Sequence, residues 1–504
     1  MGIAEPSLII PYVHHKSKFS RIVILLATIV FLSSSVVSQT AVSYQQLRTA
    51  IDQGDSQTAL TRLQTLRATN PERFNANNYD YLLARLQEMA GDVANATANY
   101  QATVTRNSVL SEYSLWHLAQ MLRASGDLVQ ERERLRSLLN LAPNSLLRDS
   151  ATMRLGHSYL ESQDFESAAS AFRQLSASTN ILIARESQAL LGQALIKSEK
   201  SADARQVFTE LLMRMPDASR PDDFALAAVR ALDALDTGGT GTVRVAELAE
   251  AEHLLRGSVY HFNRDFDAAR LHYAAVVARF PKNPTVANAL YQIGRGFFLQ
   301  QKYEEALNYF QRVLNEFPES TSAREALTFS AGANNRLKRT DQAIAAYKQY
   351  SDKYPDAPNP ERPFLNIIDA LHDAARHQEA LQWVQQTRVR FRGGIGDALA
   401  LFAQLRIHLA QGNWQSVIAD ANDLSNVTDL GGTRVPGGTT RAEIIFLRGF
   451  ALEQLGRYHE AIIDYLSLPD GRNDYYGKRA TQRLIALTAN VDANRSIQAN
   501  VLGL

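Results

Sequence analysis

The most constraining feature of this sequence is a step of 37 residues that four separate positions keep together. Pro281, Pro318 and Pro355 follow it, and so do Ala269, Ala306 and Ala343. Tyr273, Phe310 and Tyr347 keep the same step, as do Phe280, Phe317 and Tyr354. Ala380 and Phe391 carry it onward, although Arg392 stands where a fourth proline would. A fixed period of this size marks stacked units, none of which can bury its apolar face alone. Each period has room for two helices of roughly 14 residues, about 20 Å long each, plus two turns.

One unit shows how the pattern works. Tyr303, Ala306, Leu307, Phe310, Val313, Leu314 and Phe317 form an apolar stripe at helical spacing, and Pro318 ends the helix. The preceding stretch, Thr285 to Gln300, carries Leu290, Ile293, Gly294, Phe297 and Phe298 and is expected to form the first helix of the unit. Gly294 and Ala306 let the two helices approach closely, and Phe310 fills the gap between neighbouring units.

These residues resemble the tetratricopeptide repeat. The run Ile293-Gly294…Phe297…Ala306…Phe310…Pro318 fits its pattern, and Leu155-Gly156…Tyr159…Ala168…Phe172 fits it too. The step exceeds the repeat's usual length of about 34, which implies longer turns. Weaker copies begin at Gly54-Asp55, Gly91-Asp92 and Gly126-Asp127, include Ala204…Phe208, and continue at Gly412-Asn413 and Gly456-Arg457. That gives eleven units, with a degenerate one around 221–236. The resemblance implies an all-α fold, a right-handed α-solenoid of about eleven to twelve helix pairs.

Two interruptions divide it. The glycine- and threonine-rich loop 237–245 is expected to separate an array over 43–236 from a second over 246–492. LGGTRVPGGTT at 430–440 lengthens one step and is expected as an exposed excursion. Residues 493–504 are expected as a flexible tail.

Composition narrows the partners. At 504 residues the chain exceeds what one compact core accommodates, in keeping with an array. With 53 basic and 52 acidic residues it has no general drive toward nucleic acid or an anionic membrane surface. It has no cysteine, so disulfides, thiolate metal sites and a cysteine nucleophile are excluded. Lys16, Lys18 and Arg21 precede the apolar run Ile22–Leu32, and SSSVVSQT follows. These are the parts of a secretory signal over 1–38, with Val36 and Ser38 before the cut. The competing reading is an uncleaved anchor through 22–37, although the apolar run is shorter than the roughly 20 residues that span a bilayer.

No catalytic constellation emerges. GGTGT after Asp236 and GGIG at 393–396 lack the preceding strand and Lys-Ser/Thr pair of a phosphate loop, and read as turns. His253, His261, His272, His372 and His377 do not have zincin spacing. Paired acids such as Glu304-Glu305 sit at helix starts, where the dipole favours them. No Gly-x-Ser-x-Gly elbow occurs. The expectation is a chain that is not an enzyme, with no cofactor and no metal.

Asn473–Leu484, NDYYGKRATQRL, resembles the segment that ends the helical superhelix of bacterial soluble lytic murein transglycosylases. In that family the catalytic glutamate lies in a Glu-Ser motif. Here Glu161-Ser162 and Glu319-Ser320 lie inside repeats with no Gly-Leu-Met-Gln downstream, so the resemblance covers the non-catalytic part alone.

By the repeat family's pattern, positions two, five, nine and twelve of the first helix face a ligand groove. In one unit these are Asn288, Tyr291, Arg295 and Phe298. The preceding unit offers Leu254, Ser258 and His261, and a later one Leu365, Asp369 and His372. An aromatic–Arg–aromatic run suits an extended peptide or stacked sugar rings. The plainer reading is that Phe298 packs inside the array and Arg295 is merely solvated. The Lys and Asn of the carboxylate-clamp subclass are absent at positions five and nine.

The expected function is therefore a periplasmic or cell-envelope scaffold that binds proteins or peptides, or peptidoglycan, with no nucleic acid and no membrane contact beyond the N-terminal segment. The alternatives are the non-catalytic part of a truncated lytic transglycosylase, and an outer-membrane-assembly or cell-division coordination factor.

Overall fold

A computed structural model describes residues 44–217, 219–238 and 245–502. The expected signal segment 1–38, the alternative anchor 22–37 and most of the glycine loop 237–245 lie outside the described residues. Twenty-six helices run through the described chain, beginning with a helical stretch at 44–52 and ending with Val491–Leu502. No strand occurs among the described residues, and the single β-bridge joins Gly431 to Thr439. None of the described helices is long and apolar enough to cross a membrane.

Twenty-four of the helices form twelve successive pairs. The two left over are the short Pro71–Ala76 and the lone Asp223–Thr237. The all-α solenoid expectation holds, and the degenerate unit at 221–236 is this single helix. The chain divides into two compact units, one through Ser187 and one from Gln188 onward, a division that falls inside the helix Ile181–Lys197 and not at the glycine loop.

The pairs are built by a size exchange. Gly294, on helix Thr285–Leu299, lies against Phe310 on helix Tyr303–Glu316, so that a Cβ at 294 would come 2.6 Å from the ring. The same clash awaits a Cβ at Gly156 against Phe172, at Gly192 against Phe208, and at Gly449 against Tyr465. Each partner follows its glycine by 16 residues, and the spacing holds in the units that lack glycine. Ala84 stands before Tyr100, Ala119 before Leu135 and Ala331 before Tyr347. Ile368 stands before Val384, and Leu405 before Ala421, where the small residue has moved to the second helix. All of these side chains are buried. The two side chains are complementary in size in most of these pairs, and which helix carries the larger one varies, as close packing allows.

Seven residues after the small position, every one of these pairs turns through a left-handed residue. Glycine supplies it at Gly54, Gly91, Gly126, Gly412 and Gly456. Gln163, Glu199, Arg264, Gln301, Lys338 and Ala375 adopt it in the others. The next residue caps the second helix. Asp55, Asp92, Asp127, Asp164, Asp265 and Asn413 each accept a hydrogen bond from the backbone N–H three residues on. At the far end, Phe280, Phe317, Tyr354 and Phe391 terminate their helices, donating their N–H to Val276, Val313, Tyr350 and Thr387. Phe391 does so without a following proline, so the half-buried aromatic cap is enough to keep the step.

The insertion 430–440 folds back onto its unit. Leu430, Gly431 and Thr439 are buried, Val435 packs against the cluster that holds Leu365, Ile367 and Leu399, and Arg362 donates to the Pro436 carbonyl. Its tip, Thr433, Arg434, Pro436 and Gly437, is exposed. Residues 493–502, expected as tail, belong to the helix Val491–Leu502, in which Ala493 is fully buried.

Two predictions follow from this packing. Gly294→Ala costs about 1–3 kcal/mol by overpacking, and adding Phe310→Leu restores part of that loss. Chemical denaturation of the single and double variants measures the coupling. Ala375→Gly relieves a left-handed alanine at φ 57 and raises stability by about 1 kcal/mol, read as a higher denaturation midpoint with an unchanged slope.

Candidate functional site

Three of the seven groove candidates are core residues. Tyr291, Leu365 and His261 are 8%, 6% and 3% exposed. Tyr291 lies 5.9 Å from Phe329 and 6.1 Å from Phe310, and burial pushes its hydroxyl pKa up to about 12. Phe298 is half-buried, packed edge-on to Phe329 at 5.1 Å and to Tyr303 at 5.4 Å. Arg295 lies over the Phe262 ring at 5.5 Å, and Asp369 is paired with Arg406 at 2.7 Å. Asn288 is the one member of the set that is fully exposed. The plainer reading holds for Phe298, whereas Arg295 is stacked on an aromatic ring.

His261 is the least comfortable of them. Its ring sits between Phe262, Phe266 and Tyr273, and neither nitrogen has a hydrogen-bond partner. Burial first, and the Arg295 charge second, lower its pKa to about 4. An unfolded chain takes up this proton below about pH 6.5, whereas the folded one resists until about pH 4. Stability is therefore lost as pH falls through that window. His261→Phe removes roughly 2–3 kcal/mol of this acid destabilisation, measured as the difference in unfolding free energy between pH 7 and pH 4.

The same register is open in the unit that ends at Ser187. Position five of successive first helices is Tyr44, Tyr81, Trp116 and Met153. Tyr44 is 51% exposed, and the other three are half-buried. In the unit from Gln188 onward, the corresponding Tyr291, Leu365, Phe402 and Phe446 are all buried, and only Leu254 and Thr328 reach solvent. Sequence reasoning missed the N-terminal row because it assigned groove positions only in the units around Leu254, Tyr291 and Leu365. Stepping back along position five would have found it.

The groups around the row are held in place. Tyr81 meets Tyr100 at 5.8 Å and His117 at 6.1 Å, both edge-on, and His117 stacks on Tyr100 at 5.2 Å. The Tyr100 hydroxyl donates to Glu88, which also pairs with Arg85 at 2.7 Å. Burial alone would raise the Glu88 pKa, but hydrogen bonds from His117 and Tyr100 and the charges of His117 and Arg85 hold it near 2. Arg154 lies over Trp116 at 5.2 Å and pairs with the fully buried Glu131 at 2.8 Å. Arg123 completes the neutralisation of Glu131 from 3.3 Å. The cations of this face are thus already paired, and what remains to a ligand is ring surface.

No group of three or more His, Cys, Asp or Glu among the described residues is arranged to hold a metal ion. At the GGIG turn, Gly393 N–H donates to Asp397, which also accepts from Arg388 at 2.9 Å, so the turn is closed by its own carboxylate.

The C-terminal motif is explained by packing. A Cβ at Gly477 would lie 1.8 Å from the Pro469 carbonyl oxygen. Tyr476 donates to Glu443 at 2.5 Å and packs on Phe446. Arg483 pairs with Glu453, which also accepts from the Tyr465 hydroxyl at 2.8 Å. Lys478, Arg479 and Gln482 face solvent. They share the exposed side of the helix Tyr475–Leu487 with Tyr475 and Ile485. Gly477→Ala cannot be relieved by a rotamer change and costs about 3 kcal/mol or more. It is expected to show as an early, partial loss of helical ellipticity on heating.

Two models of the tetratricopeptide repeat match the chain, one over residues 247–319 and the other over 44–108, 153–224 and 291–358. These stretches are tetratricopeptide repeats. The matched stretches include Tyr44, Tyr81 and Met153 of the row, Trp116 falls between two of them, and the Asn473–Leu484 motif lies beyond the last of the matches. Among curated proteins none matches the sequence. Solved structures match over most of the chain at low identity. The Cut9–Hcn1 hetero-tetramer of the APC/C is 15% identical over 90% of this chain and 90% of that one, with a TM-score of 0.27. Naa15/Naa10 bound to HypK-THB is 13% identical over 91% and 68%, with a TM-score of 0.32. Yeast Tom70 is 12% identical over 92% and 99%, with a TM-score of 0.31. At such scores these similarities say nothing about function.

Proposed function

We propose that this chain is a non-catalytic scaffold whose tetratricopeptide repeats bind an extended segment of a partner protein along the row Tyr44, Tyr81, Trp116 and Met153. The observation that carries this reading is the contrast in exposure at one register. The register that is buried through most of the unit beginning at Gln188 is exposed at Tyr44 and half-exposed at Tyr81, Trp116 and Met153 in the unit before it. Half-exposed rings, held edge-on or under a guanidinium and bordered by cations that already have partners, offer affinity through ring faces and little through net charge.

The leader supports export, so the proposed site of action is the cell envelope, reached by the 1–38 signal or held at the membrane by 22–37. Peptidoglycan is a second ligand class for the same row, because sugar rings stack on tyrosine and tryptophan. The Tyr-Tyr-Gly motif favours that reading by its resemblance to the end of the lytic transglycosylase superhelix, with this chain supplying no chemistry of its own.

The test is selection from a peptide library on the purified chain, followed by titration of the enriched peptide. Tyr44→Ala and Tyr81→Ala are expected to weaken binding at least about tenfold each, while Asn288→Ala leaves it unchanged. Tyr44 is exposed enough that its loss does not disturb the core. Unchanged affinity in both tyrosine variants sinks the assignment to this row. Sedimentation with purified peptidoglycan decides between the ligand classes, and release of muropeptides from it by the purified chain would overturn the non-catalytic reading.

A further inference from the structure

At one junction between helix pairs, two guanidinium groups share a ring and lack a counter-charge. Arg132 and Arg136 stand one turn apart on helix Leu128–Leu141, and both lie over the Tyr159 ring of helix Arg148–Glu161, at 5.2 and 5.5 Å. Tyr159 is buried, Arg132 is half-buried and Arg136 is exposed. Arg132 Nη1 donates to the Ser158 carbonyl at 3.2 Å, to Ser158 Oγ at 3.3 Å and to Ser162 Oγ at 2.6 Å. Arg136 donates to the Tyr159 hydroxyl. Every one of these partners is neutral. Neither guanidinium has an ion-pair partner among the described residues. Glu131 is committed to Arg123 and Arg154, Glu161 to Arg123, and the exposed Glu133 pairs with neither Arg132 nor Arg136.

A junction of the same register in the other compact unit is balanced. Arg270 follows Gly257 as Arg132 follows Ala119, and it lies over the Phe297 ring at 4.3 Å. Asp267, three residues before Arg270, pairs with it, and Gln300 accepts from it at 2.8 Å. At the Tyr159 junction Val129 stands where that aspartate would, and Arg136 stands where the other has Ala274. One cation has thus lost its counter-charge and a second has been added. The hydrogen bonds leave the same surplus. Ser158, Ser162 and Tyr159 accept from the guanidiniums, and what remains are donors. These are Nε and Nη2 of Arg132, Nε and Nη1 of Arg136, and the hydroxyl protons of Ser162 and Tyr159. No acceptor among the described residues takes them.

We propose that Arg132, Arg136, Ser162 and Tyr159 form a binding site for a phosphoryl dianion. Two uncompensated cations call for two negative charges. A single carboxylate supplies one, whereas a phosphate monoester carries close to two at neutral pH and presents three acceptor oxygens. Planar guanidinium forks match those oxygens in pairs, and such charge-assisted hydrogen bonds are the stronger kind. The side chains are also held in advance, Arg132 by three neutral acceptors and Arg136 by the tyrosine, so little ordering remains to be done when a ligand arrives. Ser162 and Arg136 are exposed, which leaves the site open to solvent. It uses none of the residues of the Tyr44–Met153 row, and its ligand is independent of the segment that the row takes.

Isothermal titration calorimetry of the full chain with inorganic phosphate, at pH 8 in a phosphate-free buffer, tests the site. One phosphate per chain is expected to bind saturably, and acetate at least about tenfold more weakly. Arg132→Gln and Arg136→Gln are each expected to weaken phosphate binding at least about tenfold. Arg270→Gln, at a cation that already has its carboxylate, leaves it unchanged. Arg136 is exposed, so its replacement does not disturb the core, and matching melting curves check this. The absence of saturable heat at two temperatures overturns the site. So does acetate binding as tightly as phosphate, or phosphate affinity that survives in Arg136→Gln. Flotation with phosphatidylcholine vesicles containing phosphatidic acid then identifies the source of the phosphoryl group. Vesicle binding that Arg136→Gln abolishes assigns it to a lipid headgroup, and phosphate binding without vesicle binding assigns it to a soluble phosphate monoester.

Discussion

The structure depends on one contact repeated along the chain: a side chain on the first helix of each pair exchanging volume with the one 16 residues later on the second. Where the first is glycine or alanine, the second is an aromatic ring or leucine. In the pairs Ile368–Val384 and Leu405–Ala421 the second shrinks instead, whereas the first pair sets Leu47 against Leu63. Helix separation is set by the sum, so each pair keeps its geometry, and stacking propagates from neighbour to neighbour. The left-handed turn follows from the same constraint. Two helices this close must be joined in very few residues, and the chain adopts positive φ even where glutamine, lysine or alanine must do so.

A second rule governs the polar end of each ring. Twelve residues before Phe172, Phe208 and Phe310 stand Leu160, Ile196 and Phe298, whereas Tyr100, Tyr273, Tyr347 and Tyr465 are preceded there by Glu88, His261, Asn335 and Glu453. Glu88 and Glu453 accept the tyrosine hydroxyl directly. A buried hydroxyl without a partner is costly, and the choice between phenylalanine and tyrosine is coupled to the residue its tip meets. His261 is the member of the set that meets the ring of its tyrosine, 6.4 Å between centroids, with neither of its own nitrogens paired.

Ionic burial appears at a few places along the array. Glu131 occupies the position that holds alanine in other second helices, and it is buried against Arg123 and Arg154. At the unpaired helix Asp223–Thr237, Asp233 and Asp236 take that role with Arg256. Buried charges are tolerated only when every partner is present, so such places fix one arrangement where apolar side chains could settle into several. Asp233 shows the balance. Burial would raise its pKa, but the hydrogen bonds from His272, Tyr260 and Arg256 and the His272 charge keep it below the ordinary carboxylate range.

The array, its period, its turns and the helix ends were legible in the sequence, because each rests on contacts between residues at fixed separations. The caps at Asp55 and Asp265 and the aromatic stop at Phe391 belong to that class, whereas the fold decided that Phe310, expected in the gap between units, packs on Gly294 of its own pair. The face that meets a ligand was not legible in the same way. Tyr44 and Tyr291 hold the same register, yet one is exposed and the other buried, because exposure depends on how closely neighbouring first helices and their ring clusters draw together. That distance is the sum of many packing choices on both sides, and it has no signature at the residue itself. The lone helix and the histidines beside it lie on the same side of the line. The sequence showed three histidines within one unit, and only the folded chain set two of them, His272 and His253, between Asp233 and Arg279.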